Sequence, residues 1–515
     1  MIGELLDSVV SVFSPARAAR RAHARSIYRS VSGGGYESGR KSRTNDTWLP
    51  SNRSPDLELA DGADQTRARA RALVRNNAYA RGILDAFTRN VVGRGVRPQA
   101  RNEENETFNE AAESLFSRWA KVADITGRFT FYEMQRQIIR EMKEAGEVFV
   151  QYVASNDPAR PVPFALELID CDRLVTDYFF SRGINSETGN EVRRGVEIDA
   201  TGRPVAYHFY RTHPNDLNKT NWDSVRIPAE RILHLFQPDR IGQTRGVSAF
   251  SPVIWWLRNL GFYVENEMTA SAVASCFTVA IKTMDGGTSG TLADAIDSSG
   301  TDTAGNRFEY LQPGMIPRLL PGEDVSVINP TRNSVQAGEW INLMLRSMAV
   351  GVGLSYERLS RDYSRTNYSS NRASDLEDRR QFRADQDWLI SHFCEPVWCK
   401  LISSAVEMGL DGFPPVAEYI ENYTKWTAHS WIAPGWEWVD PMKEANARRE
   451  SMAVGLTTLT EELAANGKDL REHMKTRAKE DAVIAEYGVT PGMSQPPQQN
   501  EAQPNEIPEE TPIGA

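Results

Sequence analysis

Residues 253–277, VIWWLRNLGFYVENEMTASAVASCF, constrain the fold more than any other part of this chain. The run is too long for a strand, and its apolar residues spread over more than one side of a helix. About 25 residues at about 1.5 Å each make a rod of roughly 37 Å. Such a rod needs cover on two flanks, from other domains or from copies of itself. Ser251-Pro252 is predicted to open it as cap and first-turn proline. Arg258 cuts the run, so no window supplies the ~18 uninterrupted apolar residues of a membrane span.

On the N-terminal side the period of the apolar residues changes twice. From Asp64, a predicted N-cap, Leu73, Ala80, Ile83, Leu84, Phe87 and Val91 share one helical face, with Gly93 and Gly95 as the stop. Arginines 67, 69, 71, 75, 81 and 89 occupy the remaining surface. They read either as a solvated face, which is favoured, or as contacts to phosphate or a neighbouring subunit. A second helix is predicted over 106–122, capped by Asn105, with Phe108, Ala111, Ala112, Leu115, Phe116 and Trp119 inward. A third follows Thr130 and carries Tyr132, Met134, Ile138, Ile139 and Met142. Residues 146–238 then alternate or run apolar and are rich in Val, Ile and Tyr, so they are predicted as sheet, with a hairpin at DATGRPV around Gly202.

Beyond the long run comes a Gly/Thr/Ser/Asp-rich insertion, then a predicted helix over 334–352 with Trp340, Ile341, Met344, Leu345 and Met348. It ends in the polar loop GLSYERLSRDYSRTNYSSNRAS. Another long helix follows, with a kink expected at Pro396. Trp426, Trp431, Trp436 and Trp438 crowd 13 residues, and a helix is predicted after Asp440-Pro441. Residues 1–60 read as a basic, Gly/Ser-rich arm and 494–515 as a disordered acidic, Pro/Gln-rich tail. The fold class expected is α+β.

Charge narrows the function. With 59 Lys+Arg against 69 Asp+Glu the formal net charge is -10, which argues against a general nucleic-acid binder. It is compatible with a wall that encloses DNA and lets it slide. A hydrophobic share of 40% supports a sizeable core, and four cysteines without paired spacing indicate a reducing compartment. The opening MIGELLDSVVSVF has acids where a signal peptide has bases.

The sequence carries no recognisable catalytic motif. No phosphate-cradling loop is present, since Gly467-Lys468 lacks the upstream glycine, and Gly93-x-Gly95 and Gly351-x-Gly353 lack the rest of a dinucleotide fingerprint. No G-x-S-x-G elbow or H-E-x-x-H pair occurs. His392, Cys394 and Cys399 do not have a zinc spacing and sit among Trp388, Phe393 and Trp398, which favours buried helix residues over a metal site. Glu265/Glu267 and Asp375/Glu377 lie two apart and diverge on a helix. The tryptophans read as core or subunit contact rather than base-stacking platforms, because Lys425 is the one cation beside them in sequence. No catalytic, cofactor-binding or metal residue is predicted.

Five strings in this order resemble the phage portal proteins of the lambda-like family: RARARALVRNNAYARGILDAFTRNVVGRGVRP (67–98), REMKEAGEVFV (140–150), TRGVSAFSPV (244–253), GLSYERLSRDYSRTNYSSNRAS (353–374) and WEWVDPMKEANA (436–447). The resemblance covers roughly residues 60–490. It implies a homo-oligomeric ring, typically of twelve subunits, at one capsid vertex, through which double-stranded DNA is packaged and ejected. It further implies contacts to a terminase ATPase, major capsid and scaffold proteins and a head-tail adaptor, no membrane, and assembly in the host cytoplasm. The implied layout is the arm at 1–60, a mixed α/β wing at 61–246, stem helices at 247–276 and 334–352, and a small clip at 277–333. A channel loop at 353–372, a long kinked wing helix at 373–412, a mainly helical crown at 413–493 and the tail at 494–515 complete it. Arg358, Arg361, Arg365 and Arg372 cluster in that channel loop, where they meet DNA phosphates transiently or form inter-subunit ion pairs. Two other classes stay open: a metal-dependent DNA-processing enzyme whose carboxylates assemble only in three dimensions, and a DNA or capsid adaptor that forms no ring.

Overall fold

Two adjacent asparagines split the first expected helix. α1 (Pro55–Asn76) and α2 (Ala78–Val91) are separate, and the Asn77 side chain caps α2 by accepting from the N–H groups of Tyr79 and Ala80 at 3.0 and 3.1 Å. Asparagine competes for backbone groups and favours such a break. Asp64, expected as the cap, lies inside α1 instead. The computed structural model describes residues 52–176, 183–185, 187–216, 223–275, 279–283, 299–301, 307–309, 323–327, 334–436, 441–466 and 468–488. Most of the expected arm, the tail and Trp438 lie outside them. The chain divides into units 1–57 and 58–515; in the first, Leu57 donates its N–H to the Ser54 carbonyl at 3.1 Å.

After α2 come β1 (Arg97–Ala100), α3 (Glu106–Trp119), capped by Asn105 and extended as a 3-10 turn to Val122, and α4 (Phe131–Glu144). Thr130 and Glu133 cap α4 reciprocally. The predicted inner faces are buried, with Leu73, Ala111 and Tyr132 only half-buried. The predicted sheet region contains β2 (Glu147–Ala154), β3 (Phe164–Ile169), β4 (Glu191–Arg193), β5 (Val196–Ile198), β6 (Pro204–Tyr210), β7 (Ser224–Pro228) and β8 (Ile232–Phe236). These form two antiparallel sheets, ordered β3-β2-β8 and β4-β5-β6-β7. Alternation along β2 sends Val148 and Val150 into the main core and Phe149 into a second, smaller one between the sheets. There Phe149 meets Phe209 edge-on with ring centroids 5.0 Å apart and stacks on His234 at 4.3 Å.

The long helix α5 (Ile254–Ser275) starts two residues later than the Ser-Pro signal implied and is 22 residues long. Two antiparallel ribbons follow, β9 (Val279–Thr283) with β12 (Glu323–Val327) and β10 (Ser299–Thr301) with β11 (Arg307–Glu309). α6 (Ser334–Val352) returns along α5, so that a Cβ placed on Gly351 would stand 2.6 Å from Val253 Cγ1. α7 (Tyr356–Ser360) and α8 (Tyr368–Leu389) interrupt the segment expected as one polar loop. A π-turn at Ile390–Cys394 joins α8 to α9 (Glu395–Glu407). Pro396 explains it. A proline has no N–H to donate and its ring crowds the carbonyl four residues back, so the chain widens by one residue, with the Glu395 N–H reaching the Ile390 carbonyl. α10 (Val416–Glu421) and α11 (Tyr423–Trp426) lead to β13 (His429–Ile432), which pairs with β1 across more than 300 residues of sequence. α12 (Pro441–Ala453), α13 (Leu459–Ala465) and α14 (Leu470–Tyr487) end the described chain.

One buried carboxylate joins these layers. Glu147, at the start of β2, is fully buried. Arg245 Nε lies 2.8 and 2.9 Å from its two oxygens and Arg245 Nη2 also bonds it, while Arg67 Nη2 reaches it from α1 at 3.2 Å. His234 Nε2 lies 3.0 Å away and the Gly246 N–H donates at 3.0 Å. Arg67 continues to Asp172 at 2.7 Å, and Arg71 holds Asp170 and Asp172. The favoured reading of these α1 arginines as a solvated face is therefore corrected for Arg67 and Arg71, which point inward. Gly146 and Gly246 let the two strands of chain approach. Gly146 sits at φ 97, and a Cβ on it would stand 2.4 Å from the Val247 carbonyl carbon.

Burial opposes the charge on Glu147, yet Arg245 and His234 hold its carboxyl well below the usual range. Burial also pushes His234 below its ordinary value, against the pull of Glu147, so the neutral ring donates Nε2–H to the carboxylate. Both groups shed protons on folding. Their stabilisation is complete above the unfolded values, about 6.5 for histidine and about 4.3 for glutamate, and is lost as pH falls through the lower folded values. Denaturant midpoints should therefore fall on acidification. Glu147→Gln, which leaves buried arginines unneutralised, should cost about 3–5 kcal/mol at pH 7 and flatten the acid limb; a midpoint within error of wild type contradicts this account.

Candidate functional site

The segment between α6 and α8 is polar in sequence yet held in place at both ends. Gly353 turns the chain at φ 73, Leu354 is buried, and Ser355 caps α7 by accepting from the Arg358 N–H at 3.3 Å. Arg361 ends α7 in the left-handed region, φ 56 and ψ 25. Asp362 then folds the next residues by accepting from Ser364 N at 3.0 Å and Ser364 Oγ at 2.6 Å. These bonds hold the Asp362 carboxyl below its usual value. Asn367 and Ser370 cap α8 reciprocally. What remains outside helix is residues 353–355 and 361–367, half of the length expected.

The root of this loop is tied to both neighbouring helices. Asp378 of α8 accepts from Ser355 N and Ser355 Oγ, each at 2.7 Å, and from Arg358 Nε at 2.8 Å. Arg358 also pairs with Asp375, and its guanidinium lies 5.5 Å from the centre of the buried Phe382 ring. On the α6 side, the Tyr356 hydroxyl bonds Asn342 Oδ1 at 3.0 Å and Asp362 Oδ2 at 3.3 Å. The four predicted arginines thus separate by environment. Arg361 and Arg365 are exposed on the loop, Arg372 is half-buried near the start of α8, and Arg358 is held within its own chain.

Asp378 and Ser355 were not singled out from sequence. The signal was available: Asp375 and Asp378, three apart, share a helical face, whereas Asp375 and Glu377 diverge, as expected, with Glu377 pairing Arg380. Trp426 and Trp431 pack with the core aromatics, Trp426 4.9 Å from Phe108 and Trp431 6.5 Å from Trp398. Trp436 has cations that sequence proximity hid, since Arg379 and Arg383 of α8 lie 5.7 and 5.6 Å from its ring. Cys394 is buried beside Gln135, and burial pushes its thiol far up. His392 stacks on Trp388.

The acids that an enzyme would need do not converge freely. Among the described residues, Asp170, Asp172 and His213 form the one group with cation-ligand spacing, and both carboxylates already accept from Arg67 and Arg71. A cleft of about 600 Å³ between α3 and α14 is lined by paired charges, including Arg471 with Glu106, and Lys475 with Glu110 at 2.7 Å. No described helix is long and apolar enough to cross a membrane.

The family model described as phage portal protein, lambda family, matches residues 41–386. The chain belongs to this family of portal proteins. It is 26% identical over 502 residues to portal protein B of Escherichia phage lambda, covering 90% of this chain and 91% of that one. It is 26% identical to the portal protein of Escherichia phage N15, with 86% and 89% covered, and 27% identical to a probable portal protein of Halomonas phage phiHAP-1, with 83% and 82% covered. Among solved structures it is similar to a chain in the neck of an empty gene transfer agent particle (12% identity, 82% of this chain and 96% of that one, TM-score 0.44). It is also similar to a chain in the native virion of that agent (14%, 78% and 93%, TM-score 0.43). The role of this protein is that of a portal, and neither the DNA-processing enzyme nor the ring-free adaptor gains support.

For this portal protein the arginine-neutralised acids at 170 and 172 give a direct check. Magnesium or EDTA should leave the thermal midpoint unchanged, because a bound ion would stabilise the fold by mass action; a magnesium-dependent rise identifies a cation site.

Proposed function

We propose that copies of this chain close head-to-tail into a ring of twelve at one capsid vertex, and that double-stranded DNA enters and leaves through its centre. Family membership supports the portal role, and the observation that carries the ring is the unpaired apolar surface of α5 and α6. α5 exposes Trp255, Trp256, Phe262 and Met268, and α6 exposes Trp340, Leu343 and Val350, the last at 82%. Aromatic and aliphatic surface of this extent on two packed rods calls for cover. A neighbouring α5–α6 pair would supply it, and a repeated head-to-tail contact closes into a ring when its rotation divides the circle.

On this reading α5 and α6 are the stem, the ribbons between them the clip, and residues 61–246 with α8 and α9 the wing. Residues from 413 would be the crown, although α10, α11 and β13 pack on α3, α9 and β1. The loop at 361–367 faces the channel, where Arg361 and Arg365 meet passing phosphates. Terminase supplies the energy, docking from outside the capsid, while capsid, scaffold and head-tail adaptor proteins bind the outer surface. The ring assembles in the host cytoplasm, is retained in the virion and performs no reaction of its own.

Native mass spectrometry should give a closed particle of about 0.7 MDa, twelve copies of 57.7 kDa. Compact single chains without a central opening in negative-stain images would end the proposal. Replacing Arg361 and Arg365 with Ser should lower DNA packaging while leaving the ring assembled; wild-type packaging removes the phosphate role.

A further inference from the structure

We propose that Asp378 is the residue that positions the 361–367 loop, with Arg358 as its tether rather than a phosphate contact. The inference rests on the reading of that loop as the channel lining. Asp378 is 3% exposed and lies on α8, outside the loop. It accepts from three donors in the residues leading into the loop: Ser355 N, Ser355 Oγ and Arg358 Nε, at 2.7, 2.7 and 2.8 Å.

The arrangement is economical in a specific way. Ser355 Oγ donates its proton to Asp378 and so turns a lone pair to the Arg358 N–H, the cap of α7. The same carboxylate takes the cation that α7 presents one turn later. α7 has five residues, far below the length at which a helix persists alone. Its order therefore comes from this seat, from Phe382 beneath the guanidinium and from the Tyr356 hydroxyl. The far end of the loop is capped on α8 as well, by Asn367 and Ser370. Both ends of the loop thus rest on one helix, and Asp378 is the part of that seat that decides where the first end lies.

A phosphate near Arg358 would have to displace two short, charge-assisted bonds that are already partly sheltered from water. Arg361 and Arg365, three and seven residues further on, carry no such obligation to α8. A positioning role for Asp378 and a contact role for these two residues are therefore separable by experiment.

Hydrogen exchange would be followed in assembled rings of Asp378→Asn, Arg358→Ala, the double variant and the control Glu377→Gln, beside a DNA-packaging assay. Exchange in peptides spanning 354–367 should rise about tenfold in each single variant, no further in the double, and not in the control. Packaging should fall in both single variants with subunit number unchanged, and Arg358→Lys should restore part of it. Wild-type exchange in Asp378→Asn, or additive acceleration in the double, overturns the proposal. If Asp378→Asn rings fail to assemble, Arg358→Lys decides alone: intermediate exchange supports the seat and wild-type exchange overturns it. Faster exchange with normal packaging in both Asp378→Asn and Arg361→Ser/Arg365→Ser rings would keep the seat and discard the channel reading.

Discussion

A single carboxylate, Glu147, ties together parts of the chain that lie far apart in sequence. It draws Arg67 from α1, His234 from β8, and Arg245 with the Gly246 N–H from the turn before α5. An ionised glutamate without partners at this depth would be untenable, since desolvation of a lone charge costs several kcal/mol. With its donors present, each has a fixed place relative to β2. The sheet, the first helix and the entry to the long helix therefore become one arrangement. Misplacing any of them would strand a buried charge, and that penalty, rather than the net worth of the ion pairs, selects the arrangement.

The same junction carries the position of the loop. Lys143, one turn before Glu147, bonds Asp385 of α8 at 2.9 Å and lies over the Phe87 ring at 4.6 Å. Its carbonyl accepts from Ala249, in the turn that opens α5. α8 is thereby fixed to α4 and α2 at one end, while Asp378 and Asp375, two turns earlier, hold the root of the loop. Gln386 adds bonds to the carbonyls of Asn90, Val91 and Pro434. A displacement of α8 would reach the loop, α2 and the segment beyond β13 together, because none of these contacts can slide without losing a buried hydrogen bond.

Much of this was legible in the sequence, and the rest failed for definable reasons. Helical and strand periods located α3, α4, α6 and the sheet, because each element buries one face and periodicity records burial. The strings REMKEAGEVFV and TRGVSAFSPV could be recognised as a resemblance, but not that Glu147 of the first grips Arg245 of the second. Charge pairing at a separation of 98 residues leaves no local pattern. For the same reason Arg67 looked like surface, since an arginine between Thr66 and Ala68 on a helix gives no sign of a partner strand. The break at Asn77 and the π-turn at 390–394 were obscured differently. Each is a local conflict, a cap against a helix and a proline against its ladder, whose resolution depends on what packs around it. β1 with β13 is only four residues a side, too short for any period to register.

These pairings also change what the charge count says about DNA. The composition shows 59 basic residues, yet Arg67, Arg71, Arg194, Arg245 and Arg358 are turned inward onto acids or carbonyls of the same chain. Basic side chains committed to such seats cannot release counterions from a duplex, so they contribute nothing to its affinity. Two of the acids they neutralise, Glu147 and Asp378, are buried with them, so these pairs leave the acidic balance of the chain nearly unchanged. If the 361–367 loop lines the channel as proposed, a wall of that sign would favour transit over retention, with the exposed arginines at 361 and 365 as local exceptions. Two cations per subunit, spaced by a fixed seat, would give weak and regularly repeated contacts. That is the pattern a moving polyanion can make and break without being held.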